Sequence, residues 1–120
     1  MSARENTINY IELPMTDIAA TKAFYATVFD WTFQDWGETY ISFHGAGIDG
    51  GFDSSTPVNE ARSGAVIILY SDQLEAKRDQ ITAAGGKIIQ DIFKFPGGRR
   101  FHFQDPNGNE LAIWTEQDEA

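Results

Sequence analysis

Residues 12–31 read ELPMTDIAATKAFYATVFDW, and a change of period at the start of this stretch sets the reading of the chain. Just upstream, residues 7–14, TINYIELP, alternate Ile8, Tyr10 and Glu12 with Asn9, Ile11 and Leu13, the pattern of a strand with two unlike faces, and Pro14 ends it. From Ile18 the spacing lengthens. Ile18, Thr21, Tyr25, Val28 and Phe29 recur three and four residues apart, with Phe24 widening the stripe, which predicts an amphipathic helix. Thr16 or Asp17 supplies the side-chain oxygen that the first free N–H groups of a helix need. Three short strands follow, WTFQDW (31–36), TYISFHG (39–45) and AGIDGGFD (46–53), punctuated by Gly37, Gly45, Gly50 and Gly51.

The polar segment 54–63, SSTPVNEARS, reads as a linker. After it the same order returns. AVIILY (65–70) reads as a strand, and Ser71 or Asp72 is placed to cap the helix QLEAKRDQITAA (73–84), which Gly85 and Gly86 stop. KIIQDIFKF (87–95), RRFHFQD (99–105) and NELAIWTE (109–116) then read as three strands. Laying Asp17 on Asp72 aligns the halves at an offset of 55 residues and sets Lys22 on Lys77. Modules 7–53 and 64–116 are each too small to bury a sheet alone, so one domain over residues 1–120 with a shared core is expected.

The net charge of −9 sets the chain against nucleic acid and anionic membranes, whose like charge it would meet with repulsion. The absence of cysteine removes disulfides, thiolate metal sites and cysteine nucleophiles. MSARENTINYIELP holds neither an apolar signal core nor a bilayer-length run, so a cytoplasmic location is expected.

Three motifs resemble the vicinal oxygen chelate superfamily, the glyoxalase, bleomycin-resistance and extradiol-dioxygenase group: ELPMTDIAATKAFYATVFDW, GGRRFHFQDP and DPNGNELAIW. The resemblance spans roughly residues 7 to 116. It implies an α+β fold of two βαβββ modules whose mixed sheet curves around a cavity, and a homodimer. It also implies a divalent metal held by the first and last strands of each repeat. Those positions fall on Tyr10, Ala65 and Ala112, with only Asp49 and Asp53 available in the fourth strand, so the usual metal site is not expected.

Strand alternation groups Tyr10 with Glu12, Tyr40 with Ser42 and His44, Arg100 with His102 and Gln104, and Glu110 with Ala112 and Trp114. The apolar residues between them, Ile11, Leu13, Ile41, Phe43, Phe101, Phe103, Leu111 and Ile113, are expected under the helices. The polar set Glu12, His44, His102 and Glu110 offers a shifted metal site as one alternative and an acid-base pair as another. A plainer alternative pairs the two glutamates with Arg99 or Arg100 across strands. Trp31 reads as core, whereas Trp114 and Phe52 read as ligand walls, and Arg100 as a clamp for an anionic group. The expected ligand-binding set is therefore Tyr10, Glu12, Tyr40, His44, Phe52, Arg100, His102, Glu110 and Trp114. In DPNGN, Asp105 and Asn107 can bond their own backbone, Pro106 presets a turn dihedral and Gly108 can take positive φ. The glycine runs GAGIDGG and FPGGRR open no helix and read as strand connections rather than phosphate cradles.

The leading functional expectation is a protein that binds a small organic molecule in an aromatic-lined cavity without a metal. A divalent-metal lyase, isomerase or dioxygenase using the shifted set is the enzymatic alternative, and an interaction domain without a ligand is the third.

Overall fold

The computed structural model describes residues 5–55, 57–58 and 65–119. Residues 56 and 59–63 of the expected linker, and Gly64, lie outside them. The elements run β1 (Tyr10–Pro14), α1 (Ile18–Phe29), β2 (Thr32–Asp35), β3 (Tyr40–His44) and β4 (Asp49–Asp53), then β5 (Ile67–Tyr70), α2 (Leu74–Ala83), β6 (Lys87–Phe95), β7 (Gly98–Gln104) and β8 (Glu110–Thr115). This is the α+β, twice-repeated βαβββ order. The chain forms two compact units, Met1–Val58 and Asn59–Ala120. Each holds one four-stranded mixed sheet, ordered β1-β4-β3-β2 in the first and β5-β8-β7-β6 in the second. In both, the strand before the helix pairs in parallel with the last strand, and the other pairings are antiparallel. Among the described residues no helix is long and apolar enough to cross a membrane.

The repeat is offset by 56 residues through the helices, not 55. Asp17 is the N-cap of α1 and Gln73 that of α2, 56 positions on. Lys22 donates to Asp35 at 3.0 Å, and Arg78 to Asp91, also at 3.0 Å, so an ion pair from helix to outer strand recurs at the same offset. Asp17 accepts from the Ala20 N–H at 2.8 Å as expected. Neither Ser71 nor Asp72 caps α2 in that way: Ser71 accepts from Gln73 N–H and Asp72 from the Tyr70 hydroxyl. The shift matters because one residue of slip turns a strand's side chains to the other face. It moves the counterpart of Tyr10 from Ala65 to Val66.

In the first unit, Tyr25, Trp31 and Phe43 stack in series, with ring centroids 4.9 and 4.7 Å apart. Thr21, Phe24, Tyr25 and Val28 form the buried stripe of α1. In the second, Leu74 and Ile81 of α2 are buried, as are Phe101, Phe103, Leu111 and Ile113 of the sheet. Of the apolar strand residues expected under the helices, Ile11 and Leu13 are only half-buried and the other six are buried.

Candidate functional site

The sheet faces turned away from the helices carry the polar candidates. In the first unit the pairings Glu12 with Gly51 and Gly51 with Ser42 put β1, β4 and β3 in one row. Tyr40 donates to Glu12 Oε2 at 2.9 Å, so Tyr10, whose hydroxyl lies 2.5 Å from that of Tyr40, donates to it in turn. Burial first, then these hydrogen bonds, hold the Tyr40 hydroxyl far above the ordinary phenol range, so it stays a donor. Gly51 makes room for this chain, because a Cβ there would stand 2.1 Å from the Tyr40 oxygen. His44 lies beside Ser42 at 3.4 Å and Asp49 at 3.6 Å, and Ser42 accepts from the Trp36 indole at 3.0 Å.

Phe52 belongs elsewhere. It is fully buried against Tyr25 and Phe43 on the helix side, so it is core and not a ligand wall. Alternation carried this signal, since Asp49, Gly51 and Asp53 share the parity opposite to Phe52.

In the second unit Arg100 pairs across the strands with Trp114, His102 with Ala112 and Gln104 with Glu110. His102 Nδ1 lies 2.8 Å from Glu110 Oε2, with the two side chains 5% and 16% exposed, so this pair is largely withdrawn from water. Among the described residues its other ring nitrogen, Nε2, is buried without a hydrogen-bond partner, and the same holds for Nε of Arg100. The Arg100 guanidinium lies 5.3 Å from the centre of the Phe93 ring and 5.4 Å from that of Phe95, within cation–π range. Phe93 also stacks on His102, and Phe95 and Tyr70 meet Trp114 edge-on. Ile68, Phe95, Arg100 and Trp114 frame a pocket of about 270 Å³. The cross-strand glutamate–arginine pairs do not form: Arg99 bonds Glu75 and the Gln117 carbonyl, while Glu12 and Glu110 hold Tyr40 and His102.

A structural or catalytic zinc site takes three or four converging protein donors. Among the described residues no group of three or more His, Asp or Glu side chains is placed to hold a metal ion. Within the first unit Glu12 is bonded to Tyr40 and His44 is set against Ser42 and Asp49; within the second His102 and Glu110 are joined to each other. The residues present do not fit the metal that the resemblance implies.

Two βαβββ units with these polar sheet faces define the class as glyoxalase-fold. The family model described as the Glyoxalase/Bleomycin resistance protein/Dioxygenase superfamily matches residues 7–113, and the chain belongs to that superfamily. It is 33% identical over 122 residues to a glyoxylase-like domain-containing protein of Didymella fabae, covering 90% of this chain and 92% of that one. The glyoxylase-named protein CFP32 of Mycobacterium tuberculosis is 23% identical over 92% of this chain, and the chain spans about half of its length, 46%. Among solved structures, a glyoxalase-related enzyme from Fulvimarina pelagi matches with a TM-score of 0.76 at 18% identity, covering 92% of this chain and 88% of that one. The E126Q mutant of the fosfomycin resistance protein FosX from Listeria monocytogenes, complexed with Mn(II) and 1S,2S-dihydroxypropylphosphonic acid, matches with a TM-score of 0.77 at 18% identity, covering 92% and 90% of the two chains. These structural likenesses concern the fold.

Proposed function

We propose that this chain binds a small organic acid, without a metal, in the pocket of the second unit, and works as a homodimer. The observation that carries the reading is the buried, unpartnered Arg100 Nε beside an apolar pocket. A buried donor left without a partner costs about 1–3 kcal/mol, more when charged, so an anionic ligand that supplies the acceptor recovers this cost on binding. Trp114 and Phe95 offer flat apolar surface for the rest of the ligand.

Benzoate and the neutral benzamide make the test, followed by calorimetry before and after treatment with a chelator. Arg100→Gln should weaken benzoate about tenfold or more, the loss of one charge-assisted hydrogen bond. Benzamide should change little, and the chelator should change neither. Equal losses for both probes, or affinity that vanishes with the chelator, would refute the reading.

A further inference from the structure

We infer that a double bulge in β6 gives the pocket its selectivity for anions, by setting the ring of Phe93 opposite Arg100 where an unbroken strand would set the carboxylate of Asp91; the inference rests on the pocket reading above. At the start of β6, Lys87 pairs with Gln104 and Ile88 with Phe103. Continued without a break, that ladder would bring Asp91 to Arg100. The observed pairs are instead Gln90 with His102 and Phe93 with Arg100, so β6 spends five residues from Ile88 to Phe93 while β7 spends three from Phe103 to Arg100. Each of the two register shifts inserts one residue, as bulges do.

The exchange decides what Arg100 has as a neighbour. A carboxylate directly across the strands would satisfy the guanidinium with charge-assisted hydrogen bonds and compete with any anionic ligand. The Phe93 ring holds the cation at 5.3 Å yet offers no oxygen acceptor, and Nε stays without a partner. Among the described residues the arginine ion pairs take Arg78 to Asp79 and Asp91, and Arg99 to Glu75, and none takes Arg100. Asp91 is engaged elsewhere: its Oδ1 accepts from the Ile92 N–H at 2.7 Å and from Arg78 of α2 at 3.0 Å. One carboxylate thus satisfies a backbone group inside the irregular stretch and ties that stretch to the helix. Phe93 does not frame the pocket, which is bounded by Ile68, Phe95, Arg100 and Trp114, so it acts on a ligand through Arg100 and is a positioning residue.

Calorimetric affinities of benzoate and neutral benzamide test this in three variants. Phe93→Glu places an acid opposite Arg100 and should weaken benzoate about tenfold or more, because the ligand then competes with a resident carboxylate. Phe93→Leu keeps apolar bulk without the ring and should weaken benzoate about threefold to tenfold, the range of a cation–π contact. Phe93→Tyr keeps the ring face and should match the unmodified protein. Benzamide should change little throughout, whereas a merely structural loss would move both probes together. A benzoate-to-benzamide ratio unchanged in Phe93→Glu or Phe93→Leu, or equal losses of both probes in either, would overturn the inference and leave the pocket reading standing. Benzoate that fails to bind the unmodified protein would remove the pocket reading itself, and the inference with it.

Discussion

The carboxylate of Asp105 accepts from the backbone N–H groups of Asn107 and Asn109, each at 2.9 Å, and from the side-chain amides of both. The turn closes with Asp105 N–H donating to the Asn109 carbonyl and Gly108, at φ 101°, donating to that of Asp105. All three polar side chains are buried. Asp105→Ala therefore strands two buried N–H groups and should lower the unfolding free energy by about 2–4 kcal/mol. Asp105→Asn, which keeps one acceptor oxygen, should lose about half as much, and urea denaturation measures both. This turn was legible in DPNGN because its bonds are local, made within five residues. The Tyr40 partner of Glu12 was not, and Glu110 admitted either a histidine or an arginine, because these contacts lie diagonally across strands whose relative register a single sequence does not display.

At the scale of elements, the two helices end differently. After α2, Gly86 N–H donates to the Ile81 carbonyl and Gly85 N–H to that of Thr82, a Schellman ending with Gly85 at φ 101°. After α1 the same left-handed position is held by Asp30, at φ 60°, while Trp31 N–H donates back to the Tyr25 carbonyl. An aspartate there bears backbone strain and sets a negative charge at the negative end of the helix dipole. Asp30→Gly relieves both, against some loss of unfolded-state order, and should stabilise the protein by up to about 1 kcal/mol in thermal unfolding. Asp30→Asn, which removes only the charge, should give part of that gain, and a fall in midpoint for either variant would contradict the account. Helices and most strands were legible because their periods run unbroken. β6 was not fully so: its register against β7 shifts between Ile88 and Gln90 and again between Gln90 and Phe93. These irregularities reset the alternation and hid Phe93 and Phe95, the two rings beneath Arg100. Ile68 escaped notice for another reason, since AVIILY is apolar throughout and displays no face.

For the whole molecule, the proposed homodimer has a stated driving force and a stated opponent. Trp36, Tyr10, Tyr70 and Ile68 are 57%, 43%, 44% and 41% exposed, apolar surface that a second copy would cover. Within their own sheets β1 and β2, and β5 and β6, are edge strands that pair on one side only. Covering such surface and edges with a second copy is favourable. Against it stands the net charge of −9 on each chain, which makes two copies repel at low ionic strength. Salt shortens the reach of that repulsion to about 8 Å at physiological strength, while apolar burial persists. Light scattering should therefore give a mass near that of one 13.4 kDa chain in dilute buffer, rising toward twice that value as salt is added. Trp36→Glu, which adds charge and removes an exposed ring, should push the rise to higher salt and protein concentration. A single-chain mass at every salt concentration would rule out the dimer, and a dimer that dissociates on adding salt would show that ion pairs, not apolar surface, hold it.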